Sequence, residues 1–360
     1  MRKTQTPNDR TDFVPFLAYG ASATTQEVAA VSFRYVNGKL VSEIVQRVPL
    51  GFEGAPVIFH ARHRLLYVAT LRSPAAGGHK LLAFSVDARG RLTRKQEVPL
   101  EHGSAYLSLD RTGRFLLSAS YFEGHVDVYR INEQGLPIEL THTQHEGRDK
   151  AHSILTGRNN HFAYVAYVDD QNALFQYEFD EERGKLLALD PPQAQVLAGV
   201  GPRHVAYHPT KPFVYFSNEQ QLGASAYSLD DSGKLKLIQV CQPSQLKPAQ
   251  GLAASDIAIA PSGRFLYVGV RDFDDGLVNA LHRYEVHDDG TLTHLGETAS
   301  DAIPWGLQLS PEGRHLLVTA ANGGTLTAFE IDAAGDLHKR SSITWGTMIR
   351  DIAVLVCELD

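Results

Sequence analysis

The sequence predicts an all-β protein, a seven-bladed β-propeller with four antiparallel strands in each blade. Three observations favour this fold. An apolar strand motif recurs at nearly constant spacing, turn signals separate short alternating strands within each repeat, and no long segment has the 3.6-residue period of an amphipathic helix. A repeat of about fifty residues filled with short strands is typical of propeller blades.

The repeat is clearest in the core strand of each blade. The motif occurs seven times, as PFLAY at Pro15, RLLYV at Arg64, RFLLS at Arg114, HFAYV at His161, PFVYF at Pro212, RFLYV at Arg264 and RHLLV at Arg314. Successive motifs are separated by 49, 50, 47, 51, 52 and 50 residues. A short strand and a turn such as DRTG or APSG precede the later motifs, and two further strands follow each motif, which makes four strands per repeat.

The two ends of the sequence predict how the ring closes. The first repeat begins directly with its second strand, VPFLAYG, whereas the apolar stretch RDIAVLVC near the end belongs to no repeat. We predict that residues from about Arg350 to Cys357 pair beside Phe16–Tyr19 and complete the first blade, because closure removes the exposed sheet edges of an open array. Residues 1–12 are polar and predicted to be a flexible segment, which leaves residues 13–360 as a single domain.

Composition and charge exclude several classes of protein. A chain of 360 residues with 43% hydrophobic residues can fill a large core, and its net charge of −7 argues against a nucleic-acid or anionic membrane partner. The absence of a signal-like apolar segment, together with only two cysteines, Cys241 and Cys357, predicts a cytoplasmic protein without disulfides. The sequence predicts neither a metal nor a cofactor, and it does not indicate the oligomeric state.

Charged residues recur at the ends of the predicted core hairpins. In an antiparallel hairpin, residues equally far from the turn lie at the same end, so the position nine residues before each motif and the position seven after it share one face of the disc. The first position holds His152, Arg203 and Trp305, and the second holds Tyr121, Glu219 and Arg271, while Asp256 lies one residue along from the first.

We predict that His152, Arg203, Glu219 and Arg271 converge near the propeller axis and form a functional site. The structural alternatives are a salt bridge between Arg203 and Glu219 within one hairpin, a pairing of Arg271 with its own acidic loop DFDDG, and a core role for His152. Asp256 is also a candidate for capping a turn. The aromatic side chains are candidates for packing or for the walls of a pocket.

The stretch GPRHVAYHPTKPFVYFSNEQ, residues 201–220, resembles the GPRH…HP…NE signature of the lactonase family of seven-bladed propellers. That family contains bacterial 6-phosphogluconolactonase and fungal carboxymuconate lactonizing enzyme. The similarity extends over KAHSIL, ASDIAIAPSGRFLYVGVRD and IPWGLQLSPEGRHLLVTAANGGTLTAFEID. The resemblance implies that His152, Arg203, Glu219 and Arg271 form the catalytic set.

Two positions depart from the family pattern. Tyr106 stands where the family often has a histidine, and Trp305 stands in PWG where the family often reads PRG. We predict that Tyr106, Tyr121, Asp256 and Trp305 contact the substrate.

The leading hypothesis is hydrolysis of a sugar-acid lactone, with 6-phosphogluconolactone as the substrate. Arg203 and Arg271 would anchor a small anionic substrate and polarise the lactone carbonyl, and either Glu219 or His152 would take a proton from the attacking water. The first alternative is a cofactor-free carboxymuconate cycloisomerase that uses the same residues. The second is a non-catalytic propeller scaffold that binds a protein or peptide.

Overall fold

The computed structural model describes residues 13–72, 77–274 and 278–356. Its strands form seven four-stranded antiparallel sheets, which confirms the predicted all-β fold and the number of blades. The first strand of each blade contacts the first strands of its two neighbours, and the series returns from the seventh blade to the first. The segment 1–12, predicted to be flexible, lies outside the described residues.

The first four blades follow the chain from its N-terminus. Blade 1 consists of β1 (Phe16–Ser22), β2 (Glu27–Val36), β3 (Lys39–Pro49) and the C-terminal β28 (Ala353–Val356). Blade 2 consists of β4 (Gly54–His60), β5 (Leu65–Thr70), β6 (Lys80–Val86) and β7 (Leu92–Pro99). Blade 3 consists of β8 (Tyr106–Leu109), β9 (Phe115–Ala119), β10 (His125–Ile131) and β11 (Pro137–His145). Blade 4 consists of β12 (Ala151–Thr156), β13 (Phe162–Tyr167), β14 (Ala173–Asp180) and β15 (Lys185–Gln193), with a 3₁₀ turn at Asp169–Gln171.

The remaining three blades complete the ring. Blade 5 consists of β16 (Pro202–Tyr207), β17 (Phe213–Asn218), β18 (Ala224–Leu229) and β19 (Leu235–Cys241). Blade 6 consists of β20 (Leu252–Ile259), β21 (Phe265–Asp272), β22 (Ala280–Val286) and β23 (Leu292–Ala299). Blade 7 consists of β24 (Pro304–Leu309), β25 (His315–Ala320), β26 (Thr325–Ile331) and β27 (Leu337–Thr344).

The core lies between adjacent blades. Every residue of β1, β5, β9, β21 and β25 is buried, because the second strand of a blade is covered on both faces by neighbouring sheets. The outermost strands β7, β11 and β27 have many exposed residues, as expected of strands at the rim.

The C-terminal strand closes the ring as predicted, although it begins at Ala353 and not at Arg350, and Cys357 lies outside the described residues. Strand β28 pairs antiparallel with β1, with Phe16 opposite Val356 and Tyr19 opposite Ala353. The last strand of the chain therefore supplies the first strand of blade 1, and it brings the residues before it, Arg350 and Asp351, to the end of the strands where the other charged residues lie.

Irregular pairing at the start of the first strands positions the site. In blades 4 to 7 the register of the first strand against the second shifts between Ala151 and Ser153, Pro202 and Val205, Ala254 and Ile257, and Pro304 and Leu307. Such bulges release side chains from the regular alternation of a strand and re-aim them. The released residues include His152, Arg203, His204, Asp256 and Trp305.

Candidate active site

A cavity of about 450 Å³ opens where the first strands of the blades begin. Seven of the eight residues predicted for the site line it, and the eighth, Asp256, does not. The seven residues on the wall are Tyr106, Tyr121, His152, Arg203, Glu219, Arg271 and Trp305. The predicted convergence of residues from separate blades is therefore observed, while the role of each residue stays a prediction.

Two buried arginines form one side of the cavity. Arg203 and Arg271 are each 1% exposed. Arg271 Nη2 donates to Glu219 Oε1 at 2.6 Å and to the carbonyl oxygen of Ala254 at 2.8 Å. Nε and Nη1 of Arg203 have no hydrogen-bond partner, although Nε lies 3.8 Å from Glu219 Oε2. Arg203 thus has donors left for a ligand.

Burial governs the charge state of these arginines. The pKa of Arg203 is lowered to about 10, first by removal from water and second by the charge of the nearby Arg271, while Glu219 opposes both effects. Burial also lowers the pKa of Arg271, against the opposing charge and hydrogen bond of Glu219. An arginine with a pKa of about 10 remains a cation at neutral pH.

The pairing of the charges includes one of the structural alternatives considered for the sequence. Glu219 Oε2 lies 3.8 Å from Arg203 Nε across their own hairpin, and Glu219 Oε1 pairs more closely, at 2.6 Å, with Arg271 of blade 6. Among the described residues, Arg271 pairs with Glu219 and not with Asp272 or Asp274 of the acidic stretch that follows it. The carboxylate of Asp272 instead accepts hydrogen bonds from the backbone N–H groups of Asp274 at 3.1 Å and Val278 at 3.3 Å, and Asp275 lies outside the described residues.

A histidine that the sequence reasoning did not select lies beside His152. His204 Nδ1 is 2.6 Å from Asp256 Oδ1, and the ring centroids of His152 and His204 are 5.1 Å apart. Nδ1 of His152 and Nε2 of His204 are buried and have no partner. Burial, followed by the charge of Arg203, lowers the pKa of His204 and holds the pKa of His152 well below 6.5, so His152 is neutral at pH 7.

Asp256 lies beside His204 and is not among the residues that line the cavity, so its predicted contact with the substrate stays a prediction. Its Oδ1 also accepts from the N–H of Ile257 at 2.8 Å, and its Oδ2 accepts from the N–H of Leu307 at 2.9 Å. Burial opposes ionisation of this carboxyl, but His204 and the two backbone donors lower its pKa overall. Asp256 Oδ1 thus has two partners and Oδ2 has one, and the carboxylate holds the orientation of His204.

Aromatic rings complete the wall. Tyr106 packs edge-on against His204 at a centroid distance of 5.0 Å, and Tyr121 packs similarly against His152 at 5.9 Å. The indole of Trp305 lies 4.4 Å from the guanidinium carbon of Arg271. Of the two departures from the family pattern, Tyr106 thus lies beside the histidines and Trp305 lies beside the arginines.

Asp351 is a further wall residue that the sequence reasoning missed. Once β28 is assigned to blade 1, Asp351 lies two residues before the paired Ala353, as Arg203 lies two residues before Val205 in blade 5. Its Oδ2 accepts from the N–H of Val57 at 3.0 Å and its Oδ1 from the N–H of Ile352 at 2.8 Å. Burial raises the pKa of Asp351 to about 7.

The cavity has other lining residues outside the predicted set, on blades 1, 2, 3 and 6. They include Glu53, Arg72, Phe122, Phe273 and Arg350. Across residues 13–72, 77–274 and 278–356, no three His, Cys, Asp or Glu side chains are grouped as a metal site requires. Within the same ranges, no helix has the length and apolar character needed to cross a membrane.

Comparison with known families gives one match over most of the chain. The family model described as lactonase, 7-bladed beta-propeller, matches residues 20–348. A 6-phosphogluconolactonase of Cronobacter sakazakii is 30% identical, over 77% of this chain and 80% of that protein. A 6-phosphogluconolactonase of Pectobacterium carotovorum subsp. carotovorum is 29% identical, over 82% of this chain and 86% of its own length.

The fold also matches solved structures. The periplasmic gluconolactonase of Pseudomonas aeruginosa superposes with a TM-score of 0.82 over 95% of this chain and 99% of that structure. The two sequences are 20% identical, so this likeness shows a common fold.

Proposed function

The chain belongs to the lactonase family of seven-bladed β-propellers, and from that premise we propose that it hydrolyses a sugar-acid lactone, with 6-phosphogluconolactone as the substrate. The family match and the two curated relatives of that name support the reaction class. The observation that carries the proposal is a buried Arg203 with unpartnered donors beside a neutral His152 in one cavity. A cytoplasmic location and a small anionic substrate remain parts of the proposal.

Arg203 is assigned to the developing oxyanion. When water adds to the lactone carbonyl carbon, the carbonyl oxygen gains a full negative charge. A planar guanidinium with two free donors, already desolvated, stabilises that charge more strongly than it stabilises the neutral carbonyl. Arg271 is held in place by Glu219 and the carbonyl of Ala254, and we assign it to binding the substrate.

His152 is assigned as the general base. Its neutral imidazole takes the proton of the attacking water. Burial and the charge of Arg203 keep the pKa of His152 low before the substrate binds. The forming oxyanion offsets the charge of Arg203 as the proton arrives, so the repulsion between Arg203 and the imidazolium is weakest at that moment. Collapse of the tetrahedral intermediate breaks the ring C–O bond, and the imidazolium returns its proton to the departing oxygen, which yields the open hydroxy acid.

Glu219 is the other candidate base that the sequence left open. One of its oxygens accepts the 2.6 Å hydrogen bond from Arg271, and the other lies 3.8 Å from Arg203. A carboxylate that neutralises two buried cations stabilises their positions, and we assign Glu219 that role. We assign Asp256 and His204 to positioning His152, since Asp256 orients His204 and the His204 ring packs beside that of His152.

The alternative function is the cycloisomerase, and the flat indole of Trp305 against Arg271 favours it because an indole face suits a planar ligand. One assay distinguishes the two functions. Purified protein is given 6-phosphogluconolactone, with spontaneous hydrolysis subtracted, and separately carboxymuconate. We expect hydrolysis of the lactone and no conversion of the muconate. Conversion of the muconate alone would replace the proposal with the cycloisomerase.

A further inference from the structure

The cavity contains a second pair of arginines that has no carboxylate partner. Arg350 precedes β28, and Arg72 follows β5. Both line the cavity, and among the described residues no carboxylate lies within ion-pair distance of either one. Arg203 and Arg271, in contrast, share Glu219. The unpartnered pair is therefore a separate cationic region of the same cavity.

Trp305 links the two cationic regions. Its ring centroid lies 4.4 Å from the guanidinium carbon of Arg271 and 5.0 Å from that of Arg350. An indole face attracts cations and gives a flat wall between them. The two regions are thus one side chain apart, within reach of the two ends of a single small ligand.

The surroundings of Arg350 favour the binding of an anion. Burial lowers its pKa, and so does the positive charge of Arg72, while Glu53 opposes both only through space. Its Nε is buried and has no hydrogen-bond partner. A desolvated cation beside like charges is costly, and an anionic ligand that accepts its hydrogen bonds relieves that cost. The aromatic neighbour of Arg350, the indole of Trp305, has no hydrogen-bond acceptor to offer.

We propose that Arg350, together with Arg72, binds the anionic group at the end of the substrate remote from the lactone, which in 6-phosphogluconolactone is the phosphoryl group. This inference rests on the proposed function. Two guanidinium forks match the oxygens of a phosphoryl group, and the carbon chain of the sugar acid lies along Trp305. The substrate class is then a lactone with a terminal phosphate, in preference to the same lactone without one.

The test compares two lactones that differ only in the phosphate, 6-phosphogluconolactone and gluconolactone. The measured quantity is the ratio of their kcat/KM values in the wild type, Arg350→Gln and Arg72→Gln. We expect the wild type to prefer the phosphorylated lactone and Arg350→Gln to reduce that preference by about tenfold to a hundredfold, as for a lost charged hydrogen bond. Arg72→Gln, which changes an exposed side chain, should reduce it in the same direction.

A matched control is Arg94→Gln, which removes an exposed arginine on β7 that contacts Glu97 at 3.0 Å, outside the cavity lining. It should leave the preference unchanged. Glucarolactone, with a carboxylate in place of the phosphate, shows whether any terminal anion is accepted. An unchanged preference in both Arg350→Gln and Arg72→Gln, with the wild type active, overturns the subsite and leaves the proposed function intact.

A binding measurement tests the subsite even if the proposed reaction is wrong. Calorimetric titration compares 6-phosphogluconate with gluconate, which need no turnover. If the wild type hydrolyses neither lactone but binds 6-phosphogluconate more tightly, and Arg350→Gln removes the difference, the subsite stands while the proposed reaction fails. Equal binding of the two acids by the wild type contradicts the subsite directly.

Discussion

Arg203 differs from Arg271 in what its nitrogens bind, and this difference separates their expected roles. Arg271 donates from Nη2 to Glu219 and to a backbone carbonyl and has Nε without a partner, whereas both Nε and Nη1 of Arg203 have no partner. Lysine in place of Arg203 keeps the charge and loses the planar fork. We expect Arg203→Lys to lower kcat on the true substrate by about a hundredfold or more.

Arg271→Lys is the matched comparison. If Arg271 mainly anchors the substrate, its loss weakens ground state and transition state alike, so KM should rise more than kcat falls. Steady-state kinetics of the two variants, with melting temperatures as a check on folding, measure the difference. A larger loss of kcat in Arg271→Lys than in Arg203→Lys would reverse the assigned roles.

The choice between His152 and Glu219 as base is tested by near-isosteric amides. His152→Gln should reduce kcat by about a hundredfold to ten-thousandfold, the usual contribution of a general base. Glu219→Gln leaves two buried arginines without their shared counter-charge, so it should lower the melting temperature and activity together. If Glu219→Gln folds as the wild type does and alone abolishes turnover, Glu219 is the base.

Asp351 gives the protein a distinctive pH dependence. Its pKa is raised from 3.8 to about 7 by burial, so the folded protein holds this proton more tightly than the unfolded chain does. The stabilising contribution is complete below about pH 4 and is lost as the pH rises through about 7. The free energy of unfolding of the wild type, relative to that of Asp351→Asn, should therefore fall as the pH rises over this range, by roughly a few kcal/mol at most.

The same titration should appear in substrate binding. Above pH 7 an ionised Asp351 adds a negative charge to the wall and repels an anionic substrate, so KM should rise with pH in the wild type. Asp351→Asn should flatten that rise. Urea unfolding and KM measured at several pH values supply the two curves, and a KM profile that is the same in both proteins would contradict this account.

At the scale of the strand, counting residues from the hairpin turn predicted the end of the strands at which the site residues lie. The β-bulges determine which side chains reach the cavity. Neighbouring residues on a regular strand point to opposite faces, so Arg203 and His204 should not both face one cavity. The register shift between Pro202 and Val205 allows both to line it. The sequence has no reliable signal for that bulge, which is why His204 was missed.

Asp256 shows the reverse case. It stands beside the predicted column, but hydrogen bonds from its own backbone neighbour Ile257 and from Leu307 of blade 7 turn its carboxylate away from the cavity and onto His204. Such contacts between blades depend on the packing of the ring and leave no trace in the local sequence.

The carboxylate of Asp256 joins three blades, which makes Asp256→Asn informative. An asparagine has only one acceptor oxygen for the N–H groups of Ile257 and Leu307 and for His204. We expect kcat to fall about tenfold or more and the melting temperature to fall by several degrees, because one buried N–H group loses its acceptor. Because Asp256 raises the pKa of His204, the acid limb of the kcat pH profile should also change. Lost stability with an unchanged pH profile would make Asp256 purely structural.

For the whole molecule, the repeat spacing was enough to predict the number of blades and the closing strand, because each repeat buries its core strand in the same way. The pairing of β28 with β1 joins the two ends of the ring, with Phe16 opposite Val356. Removing residues 350–360 would expose the edge of β1 and delete Arg350 and Asp351 from the cavity. We expect the truncated protein to melt at least 10 °C lower, roughly, or to aggregate.

A matched control for the truncation keeps the strand and removes only its polar start. The double variant Arg350→Gln, Asp351→Asn should retain the closed ring and a melting temperature near that of the wild type at neutral pH, while binding of the phosphorylated product weakens. If the truncated protein melts as the full chain does, the closure by β28 does not stabilise the ring.

The central claim is that this cavity hydrolyses a phosphorylated sugar lactone through Arg203 and His152. The most direct measurement is the initial rate of 6-phosphogluconolactone hydrolysis, corrected for the spontaneous reaction, for the wild type, Arg203→Lys and His152→Gln at equal folded concentration. The account predicts a rate well above background for the wild type and a loss of about a hundredfold or more in each variant. A wild-type rate no greater than background, or variants as active as the wild type, would contradict it.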